Sequence, residues 1–173
     1  FPEIPVLQDE ADFELHGELL ARMIHQTAFA TARENSRYAI NGVLFERDGT
    51  QINIVATDGR RLALARGQCR GGQSETPQSV ILPSKALGLL QRLLDEYEEM
   101  VQVRIDGQQI IFTADHTTVT SHLVEGKFPP YQDVIPQDNT ARATLQTDLF
   151  TSAVRRASLL ATNDTKSIRL AFS

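Results

Sequence analysis

Three Asp-Gly pairs, Asp48-Gly49, Asp58-Gly59 and Asp106-Gly107, stand between stretches in which apolar and polar residues alternate. Alternation with period two marks a half-buried strand, and Asp-Gly suits the positive φ angles of a tight hairpin turn. A chain punctuated this way is constrained to antiparallel runs. The first run is predicted as strands Ile40 to Arg47, Gln51 to Thr57 and Arg61 to Arg66. The second is predicted from Val101, Val103 and Ile105, which alternate with Gln102 and Arg104, then Gln108 to Ala114 and Val119 to Val124.

Ahead of each run the period changes to that of a helix. Ala11 to His16 can form a short strand, and a helix is predicted from Gly17 to about Thr31. Leu19, Leu20, Met23, Ile24 and Thr27 fall on one of its faces, with Glu18, Arg22 and His25 on the other. Later, Ser79 to Leu82 reads as a strand and Pro83-Ser84 as a helix start, with Ser84 a candidate N-cap. There Ala86, Leu87, Leu90, Leu93 and Leu94 form the apolar stripe, and Lys85 and Arg92 share the opposite face. The order βαβββ therefore occurs twice. Between the two lies Gly67 to Gln78, rich in Gly, Gln and Ser and read as a mobile loop. It holds Cys69, which has no nearby His or second Cys and reads as incidental.

A longer repeat overlies the short one. The segment Phe1-Pro2-Glu3-Ile4-Pro5 is echoed by Phe128 to Pro136, and Leu15, Leu19, Leu20 and Ile24 are matched by Leu145, Leu149, Phe150 and Val154. The third start is predicted as a strand Ala143 to Leu145, a helix Asp148 to Ala161 capped by Thr147, and a strand Ile168 to Phe172. Leu149, Phe150, Ala153, Val154, Ala157 and Leu160 would be its buried stripe. Leu159 does not fit, because it falls with Ser152 and Arg155 on the polar side. The expected organisation is a linker and the tail of one domain at 1–10, a complete domain at 11–136, and the opening of another at 137–173. A first residue of Phe1 rather than Met fits a chain that begins inside a longer protein.

With 41% hydrophobic and 23% charged residues, the 173-residue chain can bury a core. Its net charge of −5 argues against holding nucleic acid by bulk attraction, so any contact with DNA must be local or topological. No apolar run nears the length of a membrane span, and a single cysteine precludes an internal disulfide; a cytoplasmic protein without membrane partners is expected. For catalysis, Asp115-His116 and Asp58 are the candidates for acid and base, and a hydrolase using Asp115 and His116 is one alternative reading. A polar turn is the default reading of each of them. The sequence has no Gly-rich phosphate loop, metal-spaced cluster or nucleophile elbow, so no catalytic residue, metal or cofactor is expected. A plain interaction domain with no role on DNA is the other alternative.

The string Asn53-Ile-Val-Ala-Thr-Asp-Gly-Arg-Arg-Leu-Ala-Leu64 resembles the Ala-Thr-Asp-Gly-x-Arg-Leu-Ala motif of the bacterial DNA polymerase III beta subunits, the sliding clamps. Arg37-Tyr38-x-Ile-Asn-Gly42 with Val43 to Glu46, Ile81-Leu-Pro83, and Leu123 to Pro129 with Tyr131 extend the resemblance over essentially the whole chain. It implies an α+β DNA-clamp fold, in which each domain has two βαβββ units with helices inside and antiparallel sheets outside. It also implies a ring of two subunits around duplex DNA that tethers a replicative polymerase and also meets a clamp loader. By resemblance, a groove for partner peptides between the middle and third domains takes Arg37, Ile40, Thr57, Gly59, Arg60, Arg61, Leu62, Pro129 and Val134. From pattern alone, Leu62 and Val134 read as ordinary core. Arg22, Arg33, Arg37, Lys85 and Arg92 are expected to face DNA, and Leu159 with Leu160 to lie at the subunit interface. Two departures are visible: Arg60 stands where many members carry His, and Ala39 where some carry a second aromatic residue.

Overall fold

The computed structural model describes residues 11–32, 40–71, 77–94, 97, 99–138, 140–161 and 167–171. The alternating segments become strands β1 (Phe13–His16), β2 (Gly42–Asp48), β3 (Gln51–Thr57), β4 (Leu62–Gln68), β5 (Gln78–Pro83), β6 (Met100–Asp106), β7 (Gln109–Ala114) and β8 (Thr117–His122). The helices are α1 (Gly17–Thr27), α2 (Ser84–Leu94) and α3 (Thr147–Ser158), with 3-10 turns at Ala28–Ala30 and Tyr131–Val134. The Asp-Gly turns form as the dipeptide demands. Gly49, Gly59 and Gly107 have φ of 57°, 82° and 57°.

The α+β expectation holds, with a topology the pattern did not reveal. The strands form two four-stranded sheets, ordered β1-β6-β7-β8 and β4-β3-β2-β5, and every pairing is antiparallel. Each βαβββ unit thus lends its first strand to the sheet of the other. Helix α1 leaves β1 in one sheet and packs on β3 and β4 of the second, beside α2. Leu20, Met23 and Ile24 of α1, Leu87 and Leu90 of α2, and Ile54, Leu82, Val101 and Phe112 of the sheets are buried in one core. Fully burying side chains of this kind is worth about 1.5–3 kcal/mol each. Phe45 and Phe112 meet edge to face at 6.3 Å, joining the two sheets.

The seam between the sheets also holds a cation. Arg47 is 5% exposed; its guanidinium donates to the Gly49 carbonyl at 3.0 Å, the Gly71 carbonyl at 2.9 Å and Gln78 Oε1 at 3.3 Å. It also lies over the Phe13 ring, 5.4 Å from the centroid. At Gly42 the strands β2 and β5 approach so closely that a Cβ would sit 2.4 Å from the Leu82 carbonyl oxygen. This supplies a steric reason for the glycine in Ile40-Asn41-Gly42.

Several local expectations need correction. The first helix stops at Thr27, whose hydroxyl donates back to the Met23 carbonyl at 2.8 Å; the chain then tightens into the 3-10 turn, which buries Ala30. Strand β4 continues to Gln68, past the start of the predicted loop. Cys69 is buried in the core rather than in a mobile loop, its N–H donating to the Thr50 carbonyl at 2.9 Å. Arg70 and Glu14 exchange two backbone hydrogen bonds of 2.7 Å. Residues 72–76 of that loop lie outside the described residues. Ser84 is already helical, and its hydroxyl donates to the Asn41 carbonyl at 2.7 Å.

The chain divides into two compact units at Tyr131 and Gln132. In the second unit α3 ends at Ser158, short of Ala161, and Gln146 rather than Thr147 occupies its N-cap position, without a side-chain hydrogen bond. Its predicted buried stripe is not buried: Leu149 is 66% exposed and Leu160 88%. Residues 143–145 and 168–171 form no strands, and Phe172 of the second predicted strand lies outside the described residues. A strand exists only through a partner's hydrogen bonds, and among the described residues of this unit none pairs with them or covers the apolar face of α3.

Candidate functional site

The turn between β3 and β4 is fixed by its own side chains. Thr57, buried at the end of β3, donates its hydroxyl to the Arg61 carbonyl at 2.7 Å and accepts from the Gly59 N–H at 3.1 Å. Asp58 Oδ1 accepts from the N–H groups of Arg60 and Arg61, both at 3.0 Å, and Oδ2 pairs with Arg61 Nε at 3.1 Å. Those backbone donors, with the Arg61 cation adding to them, hold the Asp58 carboxyl below the usual carboxylate range. The local sequence thus satisfies its own polar groups and leaves Arg60 and Arg61 exposed, with Leu62 half-buried beside them.

Five of the residues expected in a peptide groove, Thr57, Gly59, Arg60, Arg61 and Leu62, therefore share this one turn. Ile40 is 7% exposed and lies two residues before β2; because β2 runs antiparallel to β3, Ile40 is at the end of the sheet where β3 finishes. Pro129 is half-buried in the segment that ends at Tyr131. That segment is anchored by the Tyr131 hydroxyl, which donates to Glu46 Oε2 at 2.5 Å. Val134 belongs to the second unit and is 65% exposed. Arg37 and Arg33 lie outside the described residues.

Of the residues expected to face DNA, Arg22, Lys85 and Arg92 are all exposed, on helices that pack side by side. Arg22 is partly offset by Glu18, 3.5 Å away on the next turn. Leu89, unassigned by the sequence pattern, is 56% exposed on α2 between Lys85 and Arg92. Leu159 and Leu160 follow the end of α3, 83% and 88% exposed.

The residues considered for catalysis have local explanations. Asp115 and His116 form the turn between β7 and β8, where Asp115 adopts a φ of 51° and the His116 ring is exposed. Among the described residues no three His, Cys, Asp or Glu side chains gather to hold a metal, and no helix is long and apolar enough to cross a membrane. One residue at the site was missed. Phe29, in the 3-10 turn after α1, is 61% exposed, and the Arg61 guanidinium lies over its ring at 5.6 Å. No periodicity could have singled it out, because its partner comes from a different sheet-forming segment.

Two interlocked βαβββ units, with paired helices and a polar-sealed β3–β4 turn, define a clamp-fold domain. The chain belongs to the DNA polymerase III beta subunit family: the description "DNA polymerase III beta subunit, central domain" matches residues 14–130. It is 35% identical to the beta sliding clamp of Haemophilus influenzae over 170 residues, 98% of this chain and 46% of that protein. The crystal structure of the DNA polymerase sliding clamp from Bacillus subtilis superposes with a TM-score of 0.85 at 30% identity, covering 94% of this chain and 43% of that one. A sliding clamp from Bartonella birtlesii, solved bound to griselimycin, gives 0.82 at 35% identity, covering 96% and 45%. The chain thus spans a little under half the length of these relatives.

Proposed function

We propose that this chain is the central part of a bacterial sliding clamp, a processivity factor that encircles duplex DNA and tethers the replicative polymerase. On this reading residues 1–10 close a first clamp domain, 11–136 are the complete middle domain, and 137–173 open a third. The protein does no chemistry of its own and acts in the cytoplasm. Tethering turns each polymerase re-encounter into an intramolecular event at high effective concentration, which raises processivity without any new reaction.

The observation that carries the reading is the family match over 14–130 together with the self-sealed turn at Thr57–Leu62. A rigid turn with an apolar side chain beside two exposed cations suits capture of a short peptide. Arg37, Ile40, Thr57, Gly59, Arg60, Arg61 and Leu62, with Pro129 and Val134, are the proposed groove for the polymerase, the clamp loader and other peptide-bearing partners. Arg22, Arg33, Arg37, Lys85 and Arg92 are the proposed DNA-facing cations. A few such charges attract phosphate without locking to bases, which is what sliding requires. The acidic balance of the chain discourages DNA from adhering elsewhere. Leu159 and Leu160 are the proposed contact with a second subunit in the dimeric ring.

The test is made on the full-length protein loaded onto nicked circular DNA. Lys85→Ala with Arg92→Ala should reduce retained clamp in a salt-dependent way. Retention equal to wild type at low salt would remove these residues from the DNA face. Wild-type protein that neither stays on circles nor slides off on linearisation would remove the clamp reading itself.

A further inference from the structure

We propose that Phe29 is a positioning residue of the peptide groove, holding Arg61 so that its guanidinium selects a peptide with a carboxylate beside its apolar anchor. The inference rests on the groove reading and deepens it. Three observations carry it. Among the described residues of the first unit, Phe29 and Leu89 are the large apolar side chains left exposed, Phe29 at 61%. The 3-10 geometry after Thr27 explains how: Ala30 is turned into the core while the ring at the preceding position stays outside. Finally, Arg61, which arrives from the β3–β4 turn, lies over that ring at 5.6 Å while its Nε is engaged by Asp58 at 3.1 Å.

A lone exposed aromatic ring is unremarkable on a protein surface. Here the ring and a carboxylate from separate elements hold one guanidinium on two sides. An arginine free to sample its rotamers would lose about 2 kcal/mol of side-chain entropy on fixing a ligand. Stacking on a ring face and pairing through Nε remove part of that freedom beforehand, which is how preorganisation raises affinity. The terminal nitrogens of the fork remain the donors for a ligand; a planar fork matches a carboxylate bidentately. Neighbouring Arg60 adds a second exposed cation, and half-buried Leu62 supplies the apolar neighbour. The surface is therefore complementary to an apolar side chain adjacent to an acid.

The experiment compares wild type with Phe29→Leu, which keeps apolar bulk and removes the π face, and Phe29→Tyr, which restores the face. Phe29 is exposed, so all three should fold. In this chain, the Arg61 Nε–Hε resonance should carry a ring-current shift that Phe29→Leu abolishes and Phe29→Tyr retains, with the backbone amides of residues 57–62 unmoved. In the full-length protein, calorimetry is run with a blocked heptapeptide carrying two leucines beside one glutamate, and with its glutamine counterpart. Wild type should prefer the glutamate peptide; Phe29→Leu should shrink that preference about two- to five-fold, the size expected of an exposed cation–π contact, and Phe29→Tyr should restore it. If wild type binds both peptides and Phe29→Leu leaves the preference unchanged, the role of Phe29 is overturned while the groove stands. If wild type binds neither peptide, the groove reading fails and the proposal falls with it.

Discussion

Replacing Thr57 by Val removes one hydroxyl from the base of the β3–β4 turn and changes little else in shape. That hydroxyl makes two hydrogen bonds, to the Arg61 carbonyl at 2.7 Å and from the Gly59 N–H at 3.1 Å. A typical intramolecular hydrogen bond contributes about 1 kcal/mol net, so their loss costs about 2 kcal/mol if the freed groups stay dry. Two effects oppose this. Gly59, Arg60 and Arg61 are exposed, so water can reach the freed groups. Thr57 itself is 7% exposed, and burying a methyl in place of the hydroxyl returns about 0.8 kcal/mol. The expected net loss is about 1 kcal/mol. In urea this would lower the unfolding midpoint by about 0.5 M at unchanged slope, for a slope of about 2 kcal/mol/M. The sharper assay is hydrogen exchange at the Gly59 amide, which should speed up roughly five-fold, the equivalent of about 1 kcal/mol. Thr57→Ser keeps the hydroxyl and should leave that amide near the wild-type rate despite losing a methyl. An unchanged Gly59 exchange rate in Thr57→Val would refute the idea that this side chain holds the turn.

Arg47→Met should destabilise the first unit by about 2–4 kcal/mol in urea unfolding, because it strips charge-assisted donors from the Gly49 and Gly71 carbonyls. Arg47→Lys should not rescue it, since one ammonium cannot serve three separated acceptors; stability within 0.5 kcal/mol of wild type for either variant would count against the network. Because the Asp58 carboxyl is held below its ordinary range, its support of the turn is fully present above the ordinary aspartate value and is lost as pH falls through the lower folded one. A carboxyl-carbon NMR titration should therefore find the Asp58 midpoint below that of an unstructured aspartate, and an ordinary midpoint would contradict the backbone hydrogen bonds described. Gly42→Ala should be more disruptive than Gly88→Ala by thermal unfolding, because a Cβ at Gly42 would meet the Leu82 carbonyl oxygen at 2.4 Å whereas Gly88 faces open space. Equal melting temperatures would show that β2 and β5 can move apart at little cost.

How far these features could be read in advance depends on the range of the forces behind them. Strand and helix positions in the first unit follow from period two and period 3.6, which are local, and they were legible to within a few residues. Helix α1 ends at Thr27, whose hydroxyl bonds back to Met23, and the chain tightens into a 3-10 turn although the apolar pattern still looks helical. Composition places Cys69 in a mobile loop, whereas it is buried against Thr50 and Gly49 on the adjacent turn. In the second unit the pattern predicts strands at Ala143 to Leu145 and Ile168 to Phe172 from repeat matching. A repeat match gives a residue's propensity but not its partner, and a strand without a partner does not form. At the candidate site, the motif Thr57 to Leu62 was visible because its contacts lie within a few residues of one another. Phe29 was invisible because its contact with Arg61 is tertiary.

The exchange of first strands is the step that gives these separate facts a common consequence. Since β1 completes the sheet of β6, β7 and β8, α1 starts in that sheet and crosses to pack on β3 and β4 of the other. A Cβ added at Gly67 of β4 would meet Met23 Sδ at 2.7 Å and Leu19 Cδ2 at 3.2 Å, so helix and strand are in close contact there. The outer face of α1 carries Arg22, proposed to meet DNA, and the 3-10 turn at its end carries Phe29, proposed to hold Arg61 of the peptide turn. The inner face of the same helix packs on the two strands that this turn connects. Both proposed surfaces therefore rest on one tightly packed layer. Large-to-small changes in such a layer leave cavities that neighbours fill only in part. The buried residues of α1, β3 and β4 therefore support both surfaces, while Phe29 and Asp58 hold Arg61 itself.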